Sequence, residues 1–160
     1  RFDQIAWSVK NGAGWSPPRN LTSDSVPDIT PGLTSLRNSA LVAWSHYDGH
    51  DYRIALARFD GGGWSQLGLL PERGALLPEF SRDPSGTSVA MLFPSVAPKI
   101  WSVRLLNPHG EVIQQASVPL TSYARPVLTQ KSGTWALAWP THSIGLTLSP
   151  GAAPIPSTKH

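Results

Sequence analysis

The chain has 160 residues and a formal charge of +3, with 14% charged and 40% hydrophobic residues, so it is long enough for one globular domain and too apolar for a disordered segment. Its lysines and arginines are scattered rather than clustered, which argues against nucleic acid as a partner, and no apolar run approaches the about 20 residues of a transmembrane helix. Because cysteine is absent, disulfides, thiolate metal sites and a cysteine nucleophile are excluded.

Strand signals occur along the whole chain, as short runs rich in β-branched and aromatic residues between clusters of Gly, Pro, Asn and Asp. No window combines apolar residues at helical spacing with helix caps. Large and small side chains alternate in several runs, as in Ile54-Ala55-Leu56-Ala57, and this alternation is typical of sheets that pack on both faces. We predict strands at residues 5–10, 15–21, 28–33, 40–45, 53–59, 64–69, 78–81, 87–93, 100–106, 111–118, 126–130, 134–139 and 144–148.

A segment recurs at a spacing of about 48 residues, which indicates an array of similar units. The copies read IAWSVKNGAGWS at 5–16, IALARFDGGGWS at 54–65 and IWSVRLLNPHGEV at 100–112. A second marker has the same phase, because Pro27, Pro78 and Pro126 each open a short strand that precedes a more apolar one.

A unit of four antiparallel strands with this length has the size of a β-propeller blade. We therefore predict an all-β fold with about three blades' worth of antiparallel strands, a partial propeller or one part of an assembled ring. This domain covers residues 1–149, and the aperiodic residues 150–160 form a flexible tail.

The segment DGGGWS at 60–65 resembles the Asp-box (BNR) repeat of sialidase-like propellers, S-x-D-x-G-x-T-W, with Asp60 and Gly62 at the Asp and Gly of the motif. Asn11 and Trp15 match it more loosely in the first copy. The chain as a whole is similar to uncharacterised bacterial exported proteins with such repeats. The resemblance implies a periplasmic or extracellular location, although no signal peptide is present in this chain.

The resemblance also implies a strand phase, since the Asp box joins the third strand of a blade to the fourth. In this phase the chain holds two strands of one blade, two whole blades and three strands of another. Known propellers close with about four to eight blades. We therefore expect either further blades in a longer chain or a homo-oligomer that completes the ring.

Three polar residues stand at matched points of the repeat. Asp28 and Glu79 directly follow their prolines, and Arg125 directly precedes its own. In this phase the prolines open the innermost strands, which line the channel of a propeller. We predict that the three side chains meet at one end of the channel and bind a sugar or an acidic group, with solvated turn residues as the alternative.

Tryptophan is abundant, with seven copies. Two pairs occupy equivalent places in the repeat: Trp15 with Trp64, and Trp44 with Trp139. Equivalent positions predict packing between blades. Trp7 and Trp101 are less constrained by the repeat, and they are the candidates for stacking on a sugar ring.

The loop SHYDGHDY at 45–52 gathers His46, Asp48, His50 and Asp51, which carry the nitrogen and oxygen ligands that zinc accepts. Their spacing fits no standard site, and Asp48-Gly49 is also an ordinary turn. We predict no metal and no cofactor, and we name these four residues as the candidate ligands if a metal binds.

The acidic residues argue against catalysis, since glycoside hydrolysis generally needs a pair of carboxylates and the ten acids lie mostly in turns. We predict a non-catalytic β-propeller scaffold that binds protein or carbohydrate outside the cytoplasm. The alternatives are a carbohydrate-binding lectin and a fragment of a sialidase-like glycoside hydrolase.

Overall fold

The computed structural model describes residues 2–119, 125–131, 133–139 and 146–148. These ranges contain strands and turns but no helix, and hence no helix that could cross a membrane. Every strand pairing in them is antiparallel. The predicted tail at 150–160 lies outside the described residues.

The chain begins with a long hairpin, here called the N-terminal hairpin. Its ladder consists of four two-residue strands: β1 (Ala6–Trp7), β2 (Lys10–Asn11), β3 (Gly14–Trp15) and β4 (Arg19–Asn20). The strand β2 pairs with β3, and β1 pairs with β4. The two predicted strands at 5–10 and 15–21 are therefore present but interrupted, because Pro17 and Pro18 have no N–H to donate to the ladder.

The second sheet is one complete four-stranded unit. Its strands lie in the order of the chain: β5 (Asp28–Leu36), β6 (Ser39–Tyr47), β7 (Tyr52–Phe59) and β8 (Trp64–Leu69). The turn between β7 and β8 is held by Asp60, whose Oδ1 accepts hydrogen bonds from the backbone N–H groups of Gly62 and Gly63 at 3.1 and 3.4 Å.

The third sheet repeats this order and adds one short strand. It contains β9 (Arg73–Ala75), β10 (Glu79–Arg82), β11 (Val89–Ala97), β12 (Lys99–Leu106) and β13 (Val112–Pro119). The strands β10 to β13 form the four-stranded path, while β9, which was not predicted, pairs with the end of β11. A fourth sheet consists of β14 (Val127–Lys131), β15 (Thr134–Ala138) and β16 (Leu146–Leu148).

The sheets pack face to face, and the alternation of side chains along each strand supplies both interfaces. In β7, Ile54 and Leu56 join the apolar cluster shared with the third sheet, whereas Ala55 and Ala57 face the N-terminal hairpin. Another cluster joins the third and fourth sheets around Trp101, Trp135 and neighbouring residues. The prediction of sheets that pack on both faces is confirmed.

The innermost strands β5, β10 and β14 lie next to one another, with β10 between the other two. The Arg82 Nη1 donates to Ser35 Oγ at 2.9 Å, and the Ser81 Oγ donates to the Leu128 carbonyl at 3.2 Å. Strands that meet in this way at the inner edge of successive four-stranded sheets define β-propeller blades. The predicted fold class is confirmed, and the blade phase agrees with the resemblance.

Candidate functional site

An aromatic groove of about 360 Å³ separates the N-terminal hairpin from the second sheet. The rings of Trp7, Phe59 and Trp64 lie with centroids 5.3 to 6.3 Å apart, in tilted or edge-on contacts. The Arg19 guanidinium lies over the Trp7 ring, 5.7 Å from its centroid. Trp15 also lines the groove, and 71% of its surface is exposed.

The repeat explains how two of these rings reach the groove. Trp15 and Trp64 each follow the tight turn of a repeat copy, and Gly12 and Gly61 take positive φ values of +53° and +96° in those turns. The predicted packing between blades is wrong for Trp15, which is exposed. Trp64 is half-buried against the cluster between hairpin and second sheet. This cluster has fewer buried residues than the other two, and Trp15 lies outside it at the surface.

The remaining tryptophans lie in apolar contacts. Trp44 is 2% exposed, and Trp139 is half-buried against the cluster between the third and fourth sheets, as the repeat predicts. Trp101 is 8% exposed in that same cluster, so the structure places it in the core and leaves little of its ring for a sugar. Of the two candidate sugar platforms, only Trp7 borders a groove.

Asp28 is buried instead of open to the channel, with 1% of its surface exposed. Its Oδ1 accepts a hydrogen bond of 2.7 Å from the Trp44 Nε1 and lies 2.8 Å from the His46 Nδ1. Its Oδ2 is buried without a hydrogen-bond partner. The first residue of β5 thus turns its carboxylate into the blade.

Glu79 and Arg125 come together at the inner edge of the third and fourth sheets. The Arg125 Nη2 pairs with the Glu79 Oε2, and both side chains remain partly exposed. They border a small cavity of about 130 Å³ together with Ser81 and others. The structure therefore joins two of the three predicted ring residues, while the side chain of Asp28 contacts Trp44 and His46.

Three of the four candidate ligands in the loop at 45–52 build its turn. The Asp48 Oδ1 accepts hydrogen bonds from the backbone N–H groups of Asp51 and His50, at 2.9 and 3.0 Å. These bonds favour the ionised carboxylate and so lower the pKa of Asp48 below its ordinary value. Asp51 also pairs with Arg73 at 3.5 Å.

The fourth candidate, His46, belongs to a different cluster. One potential ligand atom from each of Asp24, Asp28 and His46 lies within 4.8 Å of the others, a grouping found among the described residues. Sequence reasoning missed Asp24, which lies in the loop between β4 and β5 and has no motif around it. The antiparallel register, which sets Asp28 opposite His46, creates this cluster.

The site and the fold together define a partial β-propeller with an aromatic groove and a buried carboxylate–histidine cluster. No protein-family model and no curated protein matches the chain. Two solved structures of the GH43_1 enzyme from Xanthomonas citri are similar to it, one complexed with xylotriose and one with xylose. Each has a TM-score of 0.47 and 16% sequence identity, and the matches cover 72% and 71% of this chain. The chain spans 40% of the length of those enzymes.

Proposed function

We propose that the chain is a non-catalytic β-propeller module that binds carbohydrate in the periplasm or outside the cell. The aromatic groove is the observation that carries this proposal. Its volume of about 360 Å³ falls within the usual range of small-molecule sites, roughly 300–1,000 Å³. Indole rings offer broad apolar faces to the C–H faces of a sugar, and Trp15 presents such a face to solvent.

The groove also has charged and polar groups at its border. Arg19 lies against the Trp7 ring, and Lys10 is the exposed ladder partner of Trp15. The side chains of arginine and lysine have only hydrogen-bond donors. They can donate to sugar hydroxyls and so fix the orientation of a stacked ring. A wall of aromatic rings with a few donors at the rim favours a sugar over a wholly apolar ligand.

The environments of the acidic side chains support a binding role. Nine of the ten carboxylates accept a hydrogen bond or contact a cationic side chain within the chain itself; they are Asp24, Asp28, Asp48, Asp51, Asp60, Glu72, Glu79, Asp83 and Glu111. Glycoside hydrolysis generally needs a carboxyl group on either side of the glycosidic bond, and no Asp or Glu is among the described residues that line the aromatic groove. Hydrolysis of a glycoside by this chain would refute the non-catalytic part of the proposal.

Glycan-array binding followed by a fluorescence titration tests the groove. We expect Trp15→Ala to weaken sugar binding by about fivefold or more, since one stacking face is worth on the order of 1 kcal/mol. Phe2→Ala is the matched control, because Phe2 is 53% exposed and does not line the groove. Equal losses in the two variants, or no glycan binding by the unchanged protein, would refute the assignment.

We further propose that other blades, from a longer chain or from a second copy, complete the ring. An exposed apolar side chain on an innermost strand outside the aromatic groove supports this, since Val127 is 65% exposed. Adjacent blades in a closed propeller cover such positions. Light scattering of the 17.2 kDa chain measures self-assembly. If the chain is a monomer, a second copy does not complete the ring, and the proposal then requires further blades in a longer chain.

A further inference from the structure

The buried carboxylate of Asp28 lacks a compensating partner for one of its oxygens. Its side chain is fully shielded from solvent, and its Oδ2 has no hydrogen-bond partner, while its Oδ1 accepts from Trp44 and faces His46. A buried carboxylate oxygen without a donor is unfavourable, because water no longer solvates its charge. A cation near this carboxylate would remove that penalty.

The atoms in and around this carboxylate include three potential ligands for a cation, one each from Asp24, Asp28 and His46. The His46 Nδ1 lies 2.8 Å from the Asp28 Oδ1 and 3.9 Å from the Asp24 Oδ2. In a tetrahedral zinc site, metal–ligand distances of about 2.0–2.1 Å place neighbouring ligands about 3.3 Å apart. The two observed distances lie on either side of this value, and the Asp24 and Asp28 oxygens lie within 4.8 Å of each other, so small side-chain movements bring all three groups to ligand distance.

We propose that Asp24, Asp28 and His46 bind a divalent transition-metal ion, with Zn²⁺ as the best fit. Imidazole combined with two carboxylates suits zinc better than calcium or magnesium, which prefer oxygen ligands alone. A metal bound through Nδ1 would replace the hydrogen bond between His46 and Asp28, and the proton of that bond would pass to solvent. The Trp44 indole N–H, which donates to the Asp28 carboxylate, orients that ligand from outside the site.

The site has room for a fourth ligand. Asp24 and His46 line a cavity of about 180 Å³ together with Trp44 and Thr22. A zinc ion with three protein ligands keeps one position for water or for a bound molecule. The proposed metal site does not depend on the carbohydrate function, since Asp24, Asp28 and His46 do not line the aromatic groove.

The alternative is that His46 and Asp28 form only a hydrogen-bonded pair. The two cases differ in the number of zinc ions bound per chain, which is one for a metal site and none for a hydrogen-bonded pair. They also differ in the role of Asp24, which is a ligand only in the metal site. Asp24 contacts His46 at only 3.9 Å, and its side chain is 44% exposed, so replacing it perturbs the pair little but removes one zinc ligand. Asp24→Asn also keeps the oxygen that accepts from the Val26 N–H in the native loop.

Isothermal titration of the chelator-treated protein with Zn²⁺ tests the proposal. We expect one ion per chain with a Kd below about 10 μM. Asp24→Asn and His46→Gln should each weaken binding by at least about tenfold, as expected for the loss of one ligand. His50→Gln is the matched control, because His50 lies in the same loop region but outside the cluster, and it should bind zinc like the unchanged protein.

Cobalt(II) supplies a readout of geometry, since the visible spectrum of this ion distinguishes four-coordinate from six-coordinate sites. The four-coordinate spectrum should appear with the unchanged protein and His50→Gln and be absent with the cluster variants. The proposal is overturned if the unchanged protein binds no zinc, if His50→Gln loses as much affinity as His46→Gln, or if both cluster variants retain full affinity.

Discussion

The ion pair between Glu72 and Arg104 offers a sharp test of how the second and third sheets are joined. Glu72 lies in the connection between the two sheets, and Arg104 lies on β12, with both side chains about nine-tenths buried. The Arg104 guanidinium also lies 5.9 Å from the centroid of the Phe93 ring. Burial lowers the pKa of Arg104, but the group stays charged because arginine titrates only far above neutral pH.

Removing one partner should be strongly destabilising. Arg104→Met leaves the Glu72 carboxylate buried without a counter-ion, and such a loss reduces the free energy of unfolding by about 3–5 kcal/mol. With a urea m-value of about 2 kcal/mol/M, the midpoint should fall by about 1.5–2.5 M. The double variant Arg104→Met/Glu72→Leu should recover most of this loss, since an apolar pair removes the unpaired charge.

Urea unfolding followed by tryptophan fluorescence measures these differences. The exposed pair of Glu79 and Arg125 is the matched control, because it has the same chemistry with side chains 37% and 59% exposed. Arg125→Met should reduce the free energy of unfolding by no more than about 1 kcal/mol, the usual size of a solvent-screened pair. A loss below 1 kcal/mol in Arg104→Met, or no recovery in the double variant, would refute the reasoning.

Two further predictions concern a close backbone contact and an acid-sensitive turn. Gly32→Ala should lower the free energy of unfolding by about 1–3 kcal/mol, because the added Cβ would overlap the backbone carbonyl oxygen of Pro78. Gly63→Ala is the control, since a Cβ at Gly63 meets no atom within 4 Å and should cost less. Thermal melts of the two variants measure the difference. The hydroxyl and backbone N–H of Ser85, together with a nearby threonine hydroxyl, lower the pKa of Asp83. This stabilisation is present above the ordinary carboxyl pKa and is lost as the pH falls through the lowered pKa of Asp83. In urea titrations Asp83→Asn should therefore be less stable than the unchanged protein at pH 7 and closer to it at a pH below that lowered pKa. An equal gap at both pH values would contradict the assigned cause.

The blade pattern was predictable because its signals are local. The turn at Asp60 needs only the side chain and the next three residues, and the alternation from Ile54 to Ala57 reports two packed faces within one strand. The short strand β9 was missed, because three residues around Gly74 carry no period. The break at residues 17–18 follows from the missing proline N–H, which the strand prediction did not weigh.

The candidate sites were less predictable, since they depend on contacts between distant segments. The inward turn of the Asp28 carboxylate follows from its register opposite His46, and a bulge between Ile29 and Gly32 separates this part of β5 from the rest of the ladder. No sequence pattern specifies that register. Glu79 and Arg125 lie together because both residues flank prolines at equivalent points of adjacent blades, while their predicted role in ligand binding stays a prediction.

The N-terminal hairpin links the two proposed sites and determines how their variants must be interpreted. Val42, Trp44 and His46 alternate along β6 and so share one face, and this face reaches from the groove to the metal cluster. The loop that carries Asp24 continues directly from the hairpin into β5. A change at Asp24 can therefore shift the hairpin and alter sugar binding without any contact with the sugar. Trp15 is exposed in the groove, and none of the proposed metal ligands lines that groove, so the Trp15 variant tests stacking directly.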